Sequence, residues 1–216
     1  MNSSTTARRW LGASAGTGAL ALALHVATYR AWRRWCIGWG ATDAELDAAF
    51  EGDQLLAAPD VVTTRVIAIG APAESVWPWL VQMGPGRAGA YTYDWIENLF
   101  GLNMHSAEEI VPDLQHMALD DAWRLGKTGP VLRVASIAPE RWIVLRSDDG
   151  NWVWAFILVP VAGGVRLVSR NRIVAPGGSW LVRTSMTYLM EPASLVMERK
   201  MLLGIKARAE RVAARG

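Results

Sequence analysis

Five strand-like segments in the middle of the chain limit its fold more than any other feature. Glycine, proline and aspartate residues separate them, which is typical of consecutive hairpins in an antiparallel sheet. In the fourth segment a strand period of two puts Trp152, Trp154, Phe156 and Leu158 on one face, which is predicted to be interior. The sequence therefore predicts an antiparallel meander over residues 122–125, 131–137, 142–147, 151–159 and 165–174.

Further elements on both sides of this meander predict an α+β domain. A β-branched strand covers Val61–Ile69, and Ala71-Pro72 opens a helix, because proline is tolerated in a first helical turn. A second short helix is predicted from Tyr93 to Phe100. Pro192 opens a long closing helix that runs to about Ala213.

One face of the closing helix is predicted to cover the sheet. Steps of ~100° per residue put Leu195 and Leu202 on the opposite side, where they would meet another element or a membrane. The face predicted to cover the sheet contains Ala193, Met197, Met201 and Gly204.

Composition excludes several protein classes. Hydrophobic residues make up 51% of the 216 residues and charged residues 19%, which is too apolar a balance for a disordered chain. A disulfide framework is excluded because Cys36 is the only cysteine. The chain has no zinc-ligand spacing, no phosphate-binding loop and no dinucleotide fingerprint. We therefore expect neither a metal nor a cofactor.

The charges are segregated along the chain. Residues 1–36 contain five arginines and no acid, and residues 197–216 contain six basic residues and two acids. The segment 37–196 has 11 basic and 18 acidic residues. Basic ends suit anionic lipid headgroups, whereas a nucleic-acid groove needs its basic stripe on the folded body. We therefore expect no nucleic-acid partner.

The N-terminal segment has the features of a membrane anchor. Trp10 to Thr28 is a stretch of 19 residues without a charge, long enough at ~1.5 Å per residue to cross most of a ~30 Å hydrocarbon core. Arginines and aromatic residues flank it on both sides. We predict a single transmembrane helix within residues 1–36 that contacts membrane lipid. A cleaved signal peptide and a buried or peripheral helix are the alternatives.

Three stretches carry a family resemblance. They are APAESVWPWL at residues 71–80, GRAGAYTYDWIEN at 86–98 followed by His105-Ser106, and MERKMLLGIK at 197–206. With this element order, the chain resembles the helix-grip superfamily of START domains and birch-pollen allergens, within its polyketide cyclase/dehydrase and lipid-transport branch. The second stretch is similar to uncharacterised members that carry an N-terminal anchor. The resemblance covers about residues 40–210.

The resemblance implies an antiparallel sheet that wraps the long C-terminal helix and leaves a cavity between them. It predicts a short helix and linker over residues 37–59 and a ligand-binding domain over residues 60–214. Aromatic side chains with adaptable methionines suit an apolar or amphipathic ligand. The predicted wall residues are Trp152, Trp154, Phe156, Met197 and Met201, and the alternative is that they only fill the core. The predicted polar ligand contacts are Gln82, Arg87, Tyr91, Tyr93, Ser169, Asn171 and Lys200.

Acid–base chemistry has three candidate residues. Asp94 and Glu97 lie three residues apart on the second short helix, close enough to act as a pair, and His105 follows soon after. The alternative for the two carboxylates is a capping box at the start of that helix. A surface position is the alternative for the histidine.

These patterns favour one function over two others. The leading hypothesis is the binding or transport of a lipid, isoprenoid or polyketide-like molecule in the cavity of a membrane-tethered domain. An enzyme of the cyclase or dehydratase kind would instead use Asp94, Glu97 or His105 to move a proton. The third hypothesis is a membrane-held module that binds a protein.

Overall fold

The structure, a computed structural model, describes residues 23–175, 177, 184 and 186–215. Internal contacts divide the chain into two units, Met1–Cys36 and Ile37–Gly216. A helix, α1, covers residues 23–37. Most of the predicted membrane anchor falls on residues 1–22, outside the described residues. Within the described part of the chain, no helix is both long enough and apolar enough to cross a bilayer.

The second unit is built on one six-stranded antiparallel sheet. Its strands lie in the order β1-β6-β5-β4-β3-β2, so the first strand pairs with the last and the others follow as a meander. This confirms the predicted antiparallel meander. The strands are β1 (Val61–Ile69), β2 (Ala122–Arg124), β3 (Val131–Ala138), β4 (Trp142–Ser147), β5 (Trp152–Val161) and β6 (Gly164–Ile173).

Four α-helices accompany the sheet in the described part of this unit. The longest, α5, closes the fold and packs against β1 and α3. The helices are α2 (Asp43–Asp47), α3 (Ala73–Gln82), α4 (Asp94–Leu99) and α5 (Glu191–Ala213). Two 3-10 turns, Asp53–Leu56 and Pro112–Leu114, and a π-helical turn, Met186–Met190, complete the described elements. The predicted α+β helix-grip class is confirmed by this arrangement.

The inner face of the sheet changes from apolar to polar along its strands. Strand register places the inward side chains of β1, β6 and β5 in rows across the sheet. One row is apolar and belongs to the main core: Ile67, Leu167 and Leu158. The next two rows carry polar groups: Arg65, Ser169 and Phe156, then Thr63, Asn171 and Trp154.

The outer face of the same strands is covered by the segment that precedes β1. Arg166, Arg170 and Arg172 alternate on this face of β6, as the period of two predicts. Arg166 pairs with Glu45 at 2.5 Å, and Asp53 lies 2.8 Å from Arg170 and 3.4 Å from Arg172. Phe50, Leu55 and Leu56 add apolar contacts to the buried valines of this face. Residues 37–59, predicted as a short helix and linker, therefore pack on the sheet.

The predicted orientation of α5 was wrong by about one residue, or ~100° of rotation. Leu195 and Leu202 are buried and face the fold, whereas Ala193 is exposed. Met201 and Gly204 are buried, as expected. The error arises from Glu198, which lies at the centre of the buried face although hydrophobic periodicity assigns a glutamate to solvent.

The orientation of α5 can be tested with two adjacent leucines. Replacing buried Leu202 with alanine is expected to lower the free energy of unfolding by ~2–5 kcal/mol, because it leaves a cavity in the core. The matched control is Leu203→Ala, at a side chain that is 36% exposed and should cost much less. Urea denaturation measures both, and equal losses would contradict the observed orientation.

Candidate functional site

A cavity of about 460 Å³ lies between the inner face of the sheet and α5. Its deep end is formed by buried residues, among them Ala90, Asn171 and Met201. The exposed residues that line it, including Asp149 and Met190, mark its mouth. The cavity lies over the rows of the inner face that carry polar groups. The apolar row of Ile67, Leu167 and Leu158 belongs to the main core and does not line it.

Two tryptophans of β5 form one wall. Trp152 and Trp154 stack with ring centroids 5.7 Å apart and an interplanar angle of 15°. Each indole N–H is held by a neighbouring strand: Trp152 donates to Asn171 Oδ1 and Trp154 to Ser169 Oγ, both at 2.9 Å. Satisfied indole nitrogens fix both rings and leave their apolar surfaces to the cavity. On the opposite side, Met197 and Met201 of α5 line the space.

Glu198, on the floor of the cavity, belongs to a buried ion pair whose other member, Arg65, lies behind it. Arg65 of β1, at 0% exposure, donates to Glu198 of α5, at 7% exposure. Arg65 also donates to Ser194 Oγ at 2.9 Å. The Glu198 carboxylate accepts further hydrogen bonds from Ser169 and from Asn171, the latter at 3.3 Å and 3.4 Å. A charge this deeply buried is tolerated only when it is paired and hydrogen-bonded, and here both conditions are met.

Glu97 of α4 also lines the cavity, and fewer hydrogen bonds offset the burial of its carboxyl group than for Glu198. It is 8% exposed, and its Oε2 atom has no hydrogen-bond partner among the described residues. Burial raises the pKa of the Glu97 carboxyl above its ordinary value, the nearby hydroxyl of Thr92 opposes this rise, and the charge of Asp94 adds to it. Thr92 also lines the cavity, and its buried hydroxyl oxygen lies near this carboxyl without a well-formed hydrogen bond to any described group. The cavity thus contains polar groups whose hydrogen-bonding capacity is only partly used.

The other two acid–base candidates do not line the cavity. Asp94 accepts hydrogen bonds from the backbone N–H and hydroxyl of Ser106, at 2.7 Å and 2.6 Å, and so fixes the loop after α4. His105 is exposed to solvent. The predicted capping box was wrong, because the N-cap of α4 is Tyr93 and no side chain caps this helix. Glu97 is therefore the one member of the predicted trio on the cavity wall.

Gln82 and Arg87, both predicted as polar ligand contacts, bind neighbouring loops instead of lining the cavity. The Gln82 amide donates to Glu109 O at 3.2 Å and accepts from Val111 N at 2.9 Å. Arg87 donates to three backbone carbonyls, those of Val81, Leu114 and His116, at distances between 2.9 Å and 3.3 Å. These contacts hold together the loops that follow α3 and α4.

Two predicted aromatic contacts are part of the packing. Tyr91 is buried and its hydroxyl donates to Trp79 O at 2.9 Å, and burial raises the pKa of this phenol. A Cβ atom at Gly204 would lie 2.6 Å from Tyr91 O, so glycine lets α5 approach this loop. Phe156 is fully buried in the main core.

The remaining predicted contacts divide between surface and cavity. Lys200 is exposed, with its ammonium group 5.7 Å from the ring centroid of Tyr93, which is itself partly exposed. Ser169 lies directly beneath the wall, bonded to Trp154 and Glu198. The predicted contacts that line the cavity are Trp152, Trp154, Asn171, Met197 and Met201.

Sequence reasoning missed the ion pair of Arg65 and Glu198. The available signal was an arginine at an inward position of the β-branched strand VVTTRVIAI. A charged residue at such a position needs a buried partner of opposite charge. The partner lies 133 residues away along the chain, and its identity depended on the orientation of α5.

Comparisons with solved structures find chains of similar architecture. A Mesorhizobium loti protein is 16% identical, with a TM-score of 0.42, over 70% of this chain and 98% of its own. A polyketide-cyclase-like protein of Corynebacterium glutamicum is 17% identical, with a TM-score of 0.43, over 67% of this chain and 88% of its own. An AHSA1-like protein of Aeromonas hydrophila is 11% identical, with a TM-score of 0.38, over 70% and 94%.

No protein-family model and no curated protein matches the sequence. At the identities of the solved structures, the likeness concerns the fold alone. The helix-grip assignment rests on the strand order and the packing of α5, which agree with the resemblance found in the sequence.

Breaking the buried ion pair is expected to destabilise the fold strongly. Glu198→Gln removes the Glu198 charge that faces buried Arg65, so the free energy of unfolding should fall by ~3–5 kcal/mol. Replacing both partners, as Arg65→Met with Glu198→Leu, should recover most of that loss, since neither charge is then buried. The control is Asp148→Asn, which breaks an exposed pair with Arg133. Urea denaturation of a Glu198→Gln variant as stable as the unmodified chain would contradict the role of this pair.

The raised pKa of Glu97 predicts a pH-dependent stability. As pH rises above the ordinary glutamate value, the unfolded chain ionises before the folded one, so the buried carboxyl lowers stability progressively. Glu97→Gln should therefore raise the melting temperature near neutral pH and lose this advantage near pH ~4. Exposed Glu109→Gln is the control. Thermal unfolding at both pH values measures the effect, and a pH-independent gain would contradict it.

Proposed function

We propose that this chain binds a hydrophobic or amphipathic small molecule, of the lipid, isoprenoid or polyketide-like kind, in the cavity beneath α5. The observation that carries this proposal is the open space itself, bounded by Trp152 and Trp154 on one side and by Met197 and Met201 on the other. Its volume of about 460 Å³ falls within the ~300–1,000 Å³ of small-molecule sites.

The chemistry of the wall supports an amphipathic ligand. Stacked indoles provide a broad, rigid apolar surface, and unbranched methionines adjust to irregular shapes. Polar groups are confined to a few positions on the floor and at the mouth, among them Asn171 and Glu198. An apolar tail against the wall and a polar head near the carboxylates would satisfy both regions.

Binding is better supported than catalysis. An acid–base enzyme needs groups that converge on one reacting atom, within ~3 Å of it. Of Asp94, Glu97 and His105, only Glu97 lines the cavity. An interaction module without a ligand would be favoured by a filled interior, and the cavity favours the ligand-binding alternative instead. Transport and attachment to a membrane through residues 1–36 remain predictions.

Filling the cavity should weaken binding without unfolding the chain. Met197→Trp adds an indole inside the space, and its matched control is Val196→Trp, which adds the same group to the neighbouring, exposed position of α5. With the neutral dye Nile red as probe, Met197→Trp is expected to weaken binding by about tenfold or more, a change of ~1.4 kcal/mol. Val196→Trp should bind the dye like the unmodified chain.

Fluorescence titration of the full chain measures these affinities, and circular dichroism checks folding. Native mass spectrometry with lipid extraction then identifies the molecule carried from the expressing cell. Equal dye affinity in the two variants would place the site elsewhere and overturn the proposal.

A further inference from the structure

We propose that the cavity prefers amphipathic molecules with a cationic head group, such as a protonated amine, over neutral or anionic molecules of the same length. This inference rests on the proposed function and names the chemical class of its ligand. It is carried by the unpartnered carboxylate oxygen of Glu97 in a cavity whose lining is acidic.

The charges along the cavity have a single sign. Four carboxylates line it: Glu97, Asp149, Glu191 and Glu198. Among the described lining residues there is no lysine, arginine or histidine. Arg65 lies behind the wall and pairs with Glu198, so its charge is already balanced. A carboxylate or phosphate head group would therefore meet repulsion at the wall without a basic side chain to hold it.

The described cations of α5 next to the lining residues are engaged elsewhere. Arg199 lies over the ring of Trp39, and Lys200 lies over the ring of Tyr93 on the exposed side of the helix. Further along the helix, Arg208 pairs with Glu108 and contacts the ring of Tyr91. None of these residues lines the cavity, and the acidic wall therefore keeps its sign.

The Glu97 carboxyl accepts fewer hydrogen bonds than the carboxyls of Asp149 and Glu198. Asp149 accepts from Ser147 at 2.5 Å and from Asn151 at 3.0 Å, and these hydrogen bonds lower its pKa. Glu198 accepts from three side chains, as described above. Glu97 Oε2 is buried and, among the described residues, has only the Thr92 hydroxyl nearby, without a well-formed hydrogen bond. An ammonium group at this position would supply the missing donor and the missing counter-charge together.

The tryptophan wall adds a second source of affinity for a cation. The stacked rings of Trp152 and Trp154 line the same cavity as Glu97. The face of an indole attracts a desolvated cation through the negative charge of its π-system. When the head group lies deeper, the same rings pack against the alkyl chain, and the preference for a cation then comes from Glu97.

The preference can be measured with three probes of equal chain length. Dodecylamine, dodecanol and dodecanoate displace Nile red from the full chain at neutral pH, below the concentrations at which they form micelles. We expect the amine to bind at least about tenfold more tightly than the alcohol, and dodecanoate to bind most weakly. In Glu97→Gln, the ratio of amine to alcohol affinity should fall toward one, and exposed Glu109→Gln should keep the ratio of the unmodified chain.

Each outcome bears on one of the two proposals. Equal binding of the three probes, or tightest binding of dodecanoate, would overturn the cation preference and leave the proposed function standing. Failure of the dye and of all three probes to bind would overturn the proposed function itself. If the ratio of amine to alcohol affinity fell in Asp149→Asn but stayed unchanged in Glu97→Gln, Glu97 would not be the group that binds the cation. Measuring ratios within one variant separates head-group recognition from a general loss of folding.

Discussion

One buried ion pair, between Arg65 on the first strand and Glu198 on the closing helix, sets how these two elements meet. Each charge would be strongly unfavourable alone in this interior, so the two elements must meet in one register for either to be buried. Ser169 and Asn171 complete the shell around the carboxylate. The pair thus joins the sheet to α5 at the point where the apolar core ends.

The cavity lies next to that junction, with Glu198 among its lining residues. Side chains such as Leu167 and Ile67 fill the space between sheet and helix at one end. At the other end the inward residues are Thr63, Asn171 and Trp154, and their polar atoms are used within the wall. On the outer face, the arginines of β6 bind the segment around Asp53, so the sheet is supported from behind while its inner surface stays open.

Local sequence patterns predicted the strands, whereas the orientation of α5 and the partners of Arg87 depend on tertiary contacts. The strand period predicted correctly that Trp154 of β5 and Asn171 of β6 lie on the inner face. Side chains alternate between two faces, so assigning one residue to the interior assigns every other residue of the strand. The helix was misoriented because Glu198 counts as polar in any periodicity argument, although its charge is cancelled by a distant strand. Arg87 illustrates the same limit, since the carbonyls that it binds lie on loops without a regular pattern.

The central claim, that an amphipathic guest lies against the tryptophan wall, is tested most directly by nuclear Overhauser effects. A bound alkyl chain should give intermolecular cross-peaks to the aromatic ring protons of Trp152 and Trp154, assigned with Trp→Phe variants of each. Exposed Trp95 on α4 serves as the internal reference and should give none. Cross-peaks to Trp95 with silence from the two wall residues would contradict the account.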